Sequence, residues 1–155
     1  MTKTLDMIRQ FLSQEQIALI GVSRNPKDFS RSLMRDLRAH GIHIVPVNLH
    51  ADEIDGTPCA RTILEIQPPV PMALIMTPKA GLKQAVLECS AAGVSTVWLF
   101  GINGVHEIPS DILELCASRH INVIPGYCPS MFLKSAGWFH RLHGSFNKTF
   151  GLYPT

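Results

Sequence analysis

A chain of 155 residues, 46% hydrophobic and 17% charged, suits one globular domain with one core and excludes a disordered polymer. Fourteen lysines and arginines against twelve acids leave a net charge of only +2 with no basic block, so charge gives no case for nucleic acid or a membrane surface as partner. The opening "MTKTLDMIRQFLSQEQ" is charged and lacks the apolar stretch of a signal peptide or membrane span. The four cysteines form no C-x-x-C pair, so reduced thiols and a cytoplasmic location are expected, although four would suffice for two disulfides.

Leu5, Ile8, Phe11 and Leu12 share a helical face and predict a short opening helix. Gln16 to Val22 reads as a buried strand. Phe29 to His40 follows as a helix, with Phe29, Leu33, Met34 and Leu37 on one stripe, Asp28 or Ser30 as N-cap and Gly41 as terminator. Ile42 to Val47 is a second strand. The next stretch reads as irregular, with a short third strand near Pro58 to Arg61. Met72 to Met76 is a strand again, and Thr77-Pro78 reads as an N-cap followed by proline at the first helical position. Leu82, Ala85, Val86 and Cys89 mark the helix, which Gly93 stops. Val94 to Phe100, Pro109 to His120 and Ile121 to Pro125 complete the alternation as strand, helix and strand.

Nearly all-apolar strands alternating with helices predict an α/β fold, a doubly wound parallel sheet of Rossmann-like type in the order 3-2-1-4-5-6. Ligands in such sheets bind at the carboxyl ends of strands where the order reverses. Here the loops "GVSRNPKDFS" and "MTPKAG" face each other, each leading to a helix N-terminus that favours anions. Ser23 offers a hydroxyl, Arg24, Lys27 and Arg31 offer cations, and Lys79 adds one opposite. A phosphorylated ligand is expected; the plainer reading is a polar surface loop.

The dinucleotide fingerprint G-x-G-x-x-G is not met. Only Gly21 is present, Ser23 stands at the second glycine, and Asn48 stands where an acid would hold the ribose. Both departures argue against NAD. An NADP-dependent oxidoreductase, with Arg24 on the extra phosphate, is the alternative function.

The ordered set of G-V-S-x-N-P after the first strand, P-V-N after the second, T-P after the next, "VWLFG" and a late cysteine resembles the CoA-binding domain family. It is similar to small stand-alone bacterial CoA-binding proteins and to the N-terminal domain of the succinyl-CoA synthetase alpha subunit. The resemblance spans about Gln16 to Cys128. It implies a Rossmann-like domain that binds coenzyme A or an acyl-CoA. Gly21, Val22, Ser23 and Arg24 then match the first phosphate loop. Pro46, Val47 and Asn48 match the adenosine side, Met76, Thr77 and Pro78 the loop opposite, and Phe100 and Gly101 the end of the next strand. Gly126-Tyr127 replaces the family's frequent Asp-Arg before the cysteine.

The sequence shows no nucleophile elbow, no Walker loop and no paired carboxylates at a strand tip. Glu107 reads as a solvated first-turn residue and His106 as a loop residue. A non-catalytic or regulatory binding module is therefore expected, in a domain of residues 1–128 followed by an aromatic tail, 129–155. In that tail His140 and His143 form H-x-x-H without a third ligand, so no metal is expected. Trp138, Leu142, Phe146 and Phe150 suggest a segment that docks on the domain or makes a homodimer. Cys128 follows the last strand on the ligand side and precedes a short helix at Pro129. The plainer reading is a half-buried structural cysteine; the hypothesis set beside it is that Cys128 is the most reactive thiol, able to form a mixed disulfide with CoA under oxidation.

Overall fold

The apolar runs become strands of one parallel sheet in the computed structural model, which describes residues 4–133. Helix α1 (Thr4–Leu12) leads into strand β1 (Gln16–Ile20), helix α2 (Phe29–Ala39) and strand β2 (His43–Val47). A two-stranded hairpin, β3 (Glu53–Ile54) and β4 (Thr57–Pro58), comes next. Strand β5 (Met72–Ile75), helix α3 (Lys79–Ala91), strand β6 (Thr96–Phe100), helix α4 (Ser110–Ser118) and strand β7 (Asn122–Tyr127) complete the fold. A 3-10 turn, Pro129–Phe132, follows β7.

The main sheet has the order β2-β1-β5-β6-β7, with every pairing parallel. This is the expected order except at one edge. In place of a third strand, a single parallel bridge joins Ala60 to Val47. The physical reason lies just before it: Asp55 (φ 49°) and Gly56 (φ 75°) form the positive-φ turn of the β3–β4 hairpin, which spends its hydrogen bonds on itself.

Alternate strand residues supply the two faces of the core, as a doubly covered parallel sheet requires. Ile17, Leu19, Ile44, Leu74 and Trp98 face α1 and α2, while Ala18, Ile20, Ala73, Ile75 and Val97 face α3 and α4. Trp98 is fully buried; its Nε1 donates to Tyr127 O (2.8 Å) and its ring meets Phe11 edge-on at 5.2 Å. Asp28, not Ser30, is the N-cap of α2, accepting from the Ser30 amide. In α3 the N-cap is Pro78, one residue later than expected, and the buried Thr77 Oγ1 caps nothing.

Candidate functional site

The loop after β1 holds its shape through a chain of side chain to backbone bonds. The Ser23 amide donates to Ser30 Oγ (2.9 Å), the Asn25 amide to Ser23 Oγ (3.0 Å) and the Lys27 amide to Asn25 Oδ1 (3.0 Å). Ser30 Oγ in turn donates to Asp28 Oδ1 (2.6 Å), and that hydroxyl with the Ser30 amide holds the Asp28 carboxyl below its ordinary range. Among the described residues the N–H groups of Val22 and Arg24 have no partner, so these two donors remain for an anion. Gly21 is required by close approach. At φ 88° its added Cβ would lie 2.7 Å from the Thr77 backbone nitrogen, so the tips of β1 and β5 meet here without a side chain between them.

Beside this loop lies a cavity of about 630 Å³, a volume suited to a cofactor-sized ligand. Gly21, Val22, Ser23 and Arg24 line it from the first loop, and Val47 and Asn48 from the second. Thr77 lines it from the third loop. Asn48 joins two walls: its Nδ2 donates to Val22 O (2.8 Å) and its Oδ1 accepts the His50 amide (2.8 Å). Both ends of the amide are thus committed to holding the loops together.

A smaller cavity, about 210 Å³, opens between the ends of β5 and β6. Met76, Thr77, Pro78 and Phe100 line it, with Glu107 at its wall. Glu107 is not a solvated helix-dipole residue. It is half-buried and its Oε2 accepts the amides of Ile102 (2.8 Å) and Asn103 (2.9 Å), fixing the loop after β6.

Lys27, Arg31, Pro46 and Gly101 line neither cavity. Lys27 is exposed and Pro46 is buried within β2, its carbonyl accepting the Ala60 amide (3.0 Å). Gly101 is buried where a Cβ would meet Glu107 Oε2 at 2.5 Å and Gly126 Cα at 2.7 Å. Arg31, with a side chain only 8% exposed, is spoken for: it pairs with Asp55 and donates through Nη1 to Ser23 O (3.3 Å) and Arg24 O (3.1 Å). It braces the loop from behind. That hydrogen bond, opposed in part by desolvation, holds the Asp55 carboxyl below its ordinary range.

Polar residues of the larger cavity that were not expected there include His50, Arg61, Gln84 and Glu88. Gly81, Gln84, Ala85 and Glu88 recur at one-face helical spacing, a signal that was legible. Glu88 accepts from Thr62 Oγ1 (3.0 Å) and Gln84 Nε2 (3.1 Å). Arg61 follows the Ala60 bridge and carries no local signal.

Cys128 follows the structural reading, not the reactive one. It is 3% exposed, and burial pushes its thiol up despite the Ser130 and Met131 amides and the Ser130 hydroxyl, which favour the thiolate. Burial likewise raises Cys116, and pushes Cys89 up to about 12. Cys59 is the most exposed of the four, all of which are free. Among the described residues no cluster could hold a metal ion and no helix is long and apolar enough to cross a membrane. His140 and His143 lie outside those residues.

A glycine-led loop, a cavity at the strand-order reversal and anion-ready amides define a nucleotide-type site in an α/β domain. Residues 15–134 match the profile of the CoA binding domain family, and the chain belongs to that family. Coenzyme A is the ligand that membership supports. The chain is 26% identical over 152 residues to the alpha subunit of ADP-forming acetate–CoA ligase II of Pyrococcus furiosus, covering 93% of this chain. It is 25% identical over 118 residues to an ADP-forming acetate–CoA ligase of Methanocaldococcus jannaschii, covering 74% of this chain. It spans 31% and 17% of those two relatives' lengths. Among solved structures, a conserved hypothetical protein from Pyrococcus furiosus superimposes with a TM-score of 0.65 at 29% identity, covering 74% of this chain and 96% of the other.

Proposed function

We propose that the larger cavity holds coenzyme A or an acyl-CoA and that the chain is a non-catalytic or regulatory binding module. The observation that carries the reading is the cavity itself, lined from the loops after β1, β2 and β5 and lying at the β1–β5 reversal of strand order. On this reading Gly21, Val22, Ser23 and Arg24 meet the pyrophosphate, with Lys27 at the rim. Val47 and Asn48 flank the adenosine. Met76, Thr77, Pro78 and Phe100 carry the ligand on toward the smaller cavity, whose apolar lining suits a pantetheine arm. Pro46, Arg31 and Gly101 act by shaping the loops.

The relatives named as ligases extend far beyond the matched stretch, and we assign the chemistry in their names to that remaining length. Free thiols suit a reducing, cytoplasmic setting. The division at residue 128 and a tail that docks on the domain or joins two copies remain part of the proposal.

The test is thermal stabilisation by CoA, NAD and NADP at equal concentration. A ligand at a hundred times its Kd stabilises by about 2.7 kcal/mol, which for a domain of this size is roughly 5–10 °C in Tm. CoA is expected to give such a shift and the nicotinamide cofactors little. Equal or larger shifts with NADP would overturn the assignment in favour of a dinucleotide enzyme.

A further inference from the structure

Three basic side chains line the larger cavity from three separate segments: Arg24 after β1, His50 after β2 and Arg61 after β4. Arg61 is brought there by the backbone. The Ala60 amide donates to Pro46 O (3.0 Å) and the Asn48 amide to Ala60 O (2.9 Å), so the one bridge left from the missing edge strand fixes position 61 at the tip of β2. The Arg61 guanidinium itself is loosely held. Its side chain is 61% exposed and its acidic partner, Asp52 at 3.2 Å, is 89% exposed. Exposed pairs of this kind exchange partners readily. Arg31, buried and clamped to Asp55, has no such freedom.

We propose that Arg61, with Arg24 and His50, forms a phosphomonoester site that reads the 3′-phosphate of CoA, and that Asp52 is the anion Arg61 releases when the ligand binds. The proposal rests on the CoA reading of the same cavity. CoA carries two kinds of phosphate. The diester-like pyrophosphate suits the paired amides of Val22 and Arg24, which present partial charges close to the chain. The terminal monoester carries up to two charges and three acceptor oxygens, so it calls for side-chain cations at the solvent-facing rim. A guanidinium supplies two parallel donors to such a group. Glu88, the acid on the same wall, is engaged by Thr62 and Gln84.

Calorimetric titration of the full chain and of Arg61→Ala, Arg61→Lys and Asp52→Asn with CoA and with dephospho-CoA tests this. Arg61→Ala is expected to weaken CoA roughly five- to tenfold and leave dephospho-CoA within about twofold. Arg61→Lys should recover part of the loss, and Asp52→Asn should tighten CoA about two- to threefold while leaving dephospho-CoA unchanged. Equal losses for both ligands, or no loss, overturn the 3′-phosphate assignment while leaving the cavity a CoA site. Should Arg61→Ala fold poorly, the Asp52→Asn arm still decides: no gain, or an equal gain for both ligands, is against it. An unmutated chain that binds neither ligand overturns the CoA reading itself, and this proposal with it.

Discussion

Arg31→Ala should cost the protein stability, and Arg24→Ala should cost it ligand. The Arg31 side chain is 8% exposed and divides its donors between Asp55 and the carbonyls of Ser23 and Arg24. Hydrogen bonds involving a charged group contribute about 1.5–3 kcal/mol each when buried. The bond to Asp55 is discounted, because that carboxylate is 27% exposed and rehydrates. The two carbonyl bonds are long, so the net loss is about 3 kcal/mol, or roughly 6–12 °C in Tm for a domain of this size. Arg31→Lys keeps the charge but not the fork and should recover less than half. The pH arm has a definite sign. Asp55 is held below its unfolded pKa, so its contribution is complete above about pH 4 and is lost as pH falls through the folded value. Asp55→Asn should therefore flatten the acid limb of the stability curve. Urea unfolding and CoA titration of the two arginine variants check the argument. It is refuted if Arg31→Ala keeps the parent Tm while losing CoA affinity as deeply as Arg24→Ala.

Gly21→Ala should destabilise by about 2 kcal/mol or more and abolish the CoA-dependent Tm shift, since the new methyl meets backbone rather than a movable side chain; a stable variant with intact binding would refute the close-approach argument. Alkylation of the native chain should label Cys59 first, with Cys89, Cys116 and Cys128 reacting only on unfolding, as peptide mapping would show. Ending the chain at Pro129 should lower Tm whatever the tail does, because Leu133 is 4% exposed and Phe132 lies 6.0 Å from the Trp98 ring. Ending it at Leu133 isolates the tail, and light scattering should then show a loss of dimer if the tail joins two copies.

Strand order was legible because each central strand is a short apolar run between turn residues, and such runs have few alternative places to go. The edge was harder. "EIDGTP" contains an Asp-Gly pair, the strongest local signal for a tight hairpin, and it turns the chain back before a third strand can form. The site divides on the same line. Residues next to strand ends, such as Gly21, Ser23, Asn48 and Thr77, follow from topology and line the larger cavity. Arg31 and Arg61 do not, because the reach of a long side chain is settled by partners distant in sequence. Arg31 meets an acid 24 residues away, while Arg61 reaches the cavity through a bridge that no local pattern announces. Cys128 shows a local rule losing to a tertiary one: its helix-terminus amides lower the thiol pKa, and burial outweighs them.

The absence of glycines after Gly21 has a structural account in the same loop. In a glycine-rich phosphate loop, bare backbone allows the ligand to approach and the turn to form. Here the turn is made by side chains. Ser23, Asn25, Asp28 and Ser30 occupy the amides of residues 23, 25, 27 and 30, and Arg31 holds the carbonyls of 23 and 24 from the opposite side. A loop built this way is stiff without needing positive φ beyond Gly21. Its cost is bulk, since Ser23 and Arg24 stand where a dinucleotide's pyrophosphate would press against bare backbone. That geometry favours a ligand met by side chains as well as amides, with a further phosphate for the outer arginines to hold.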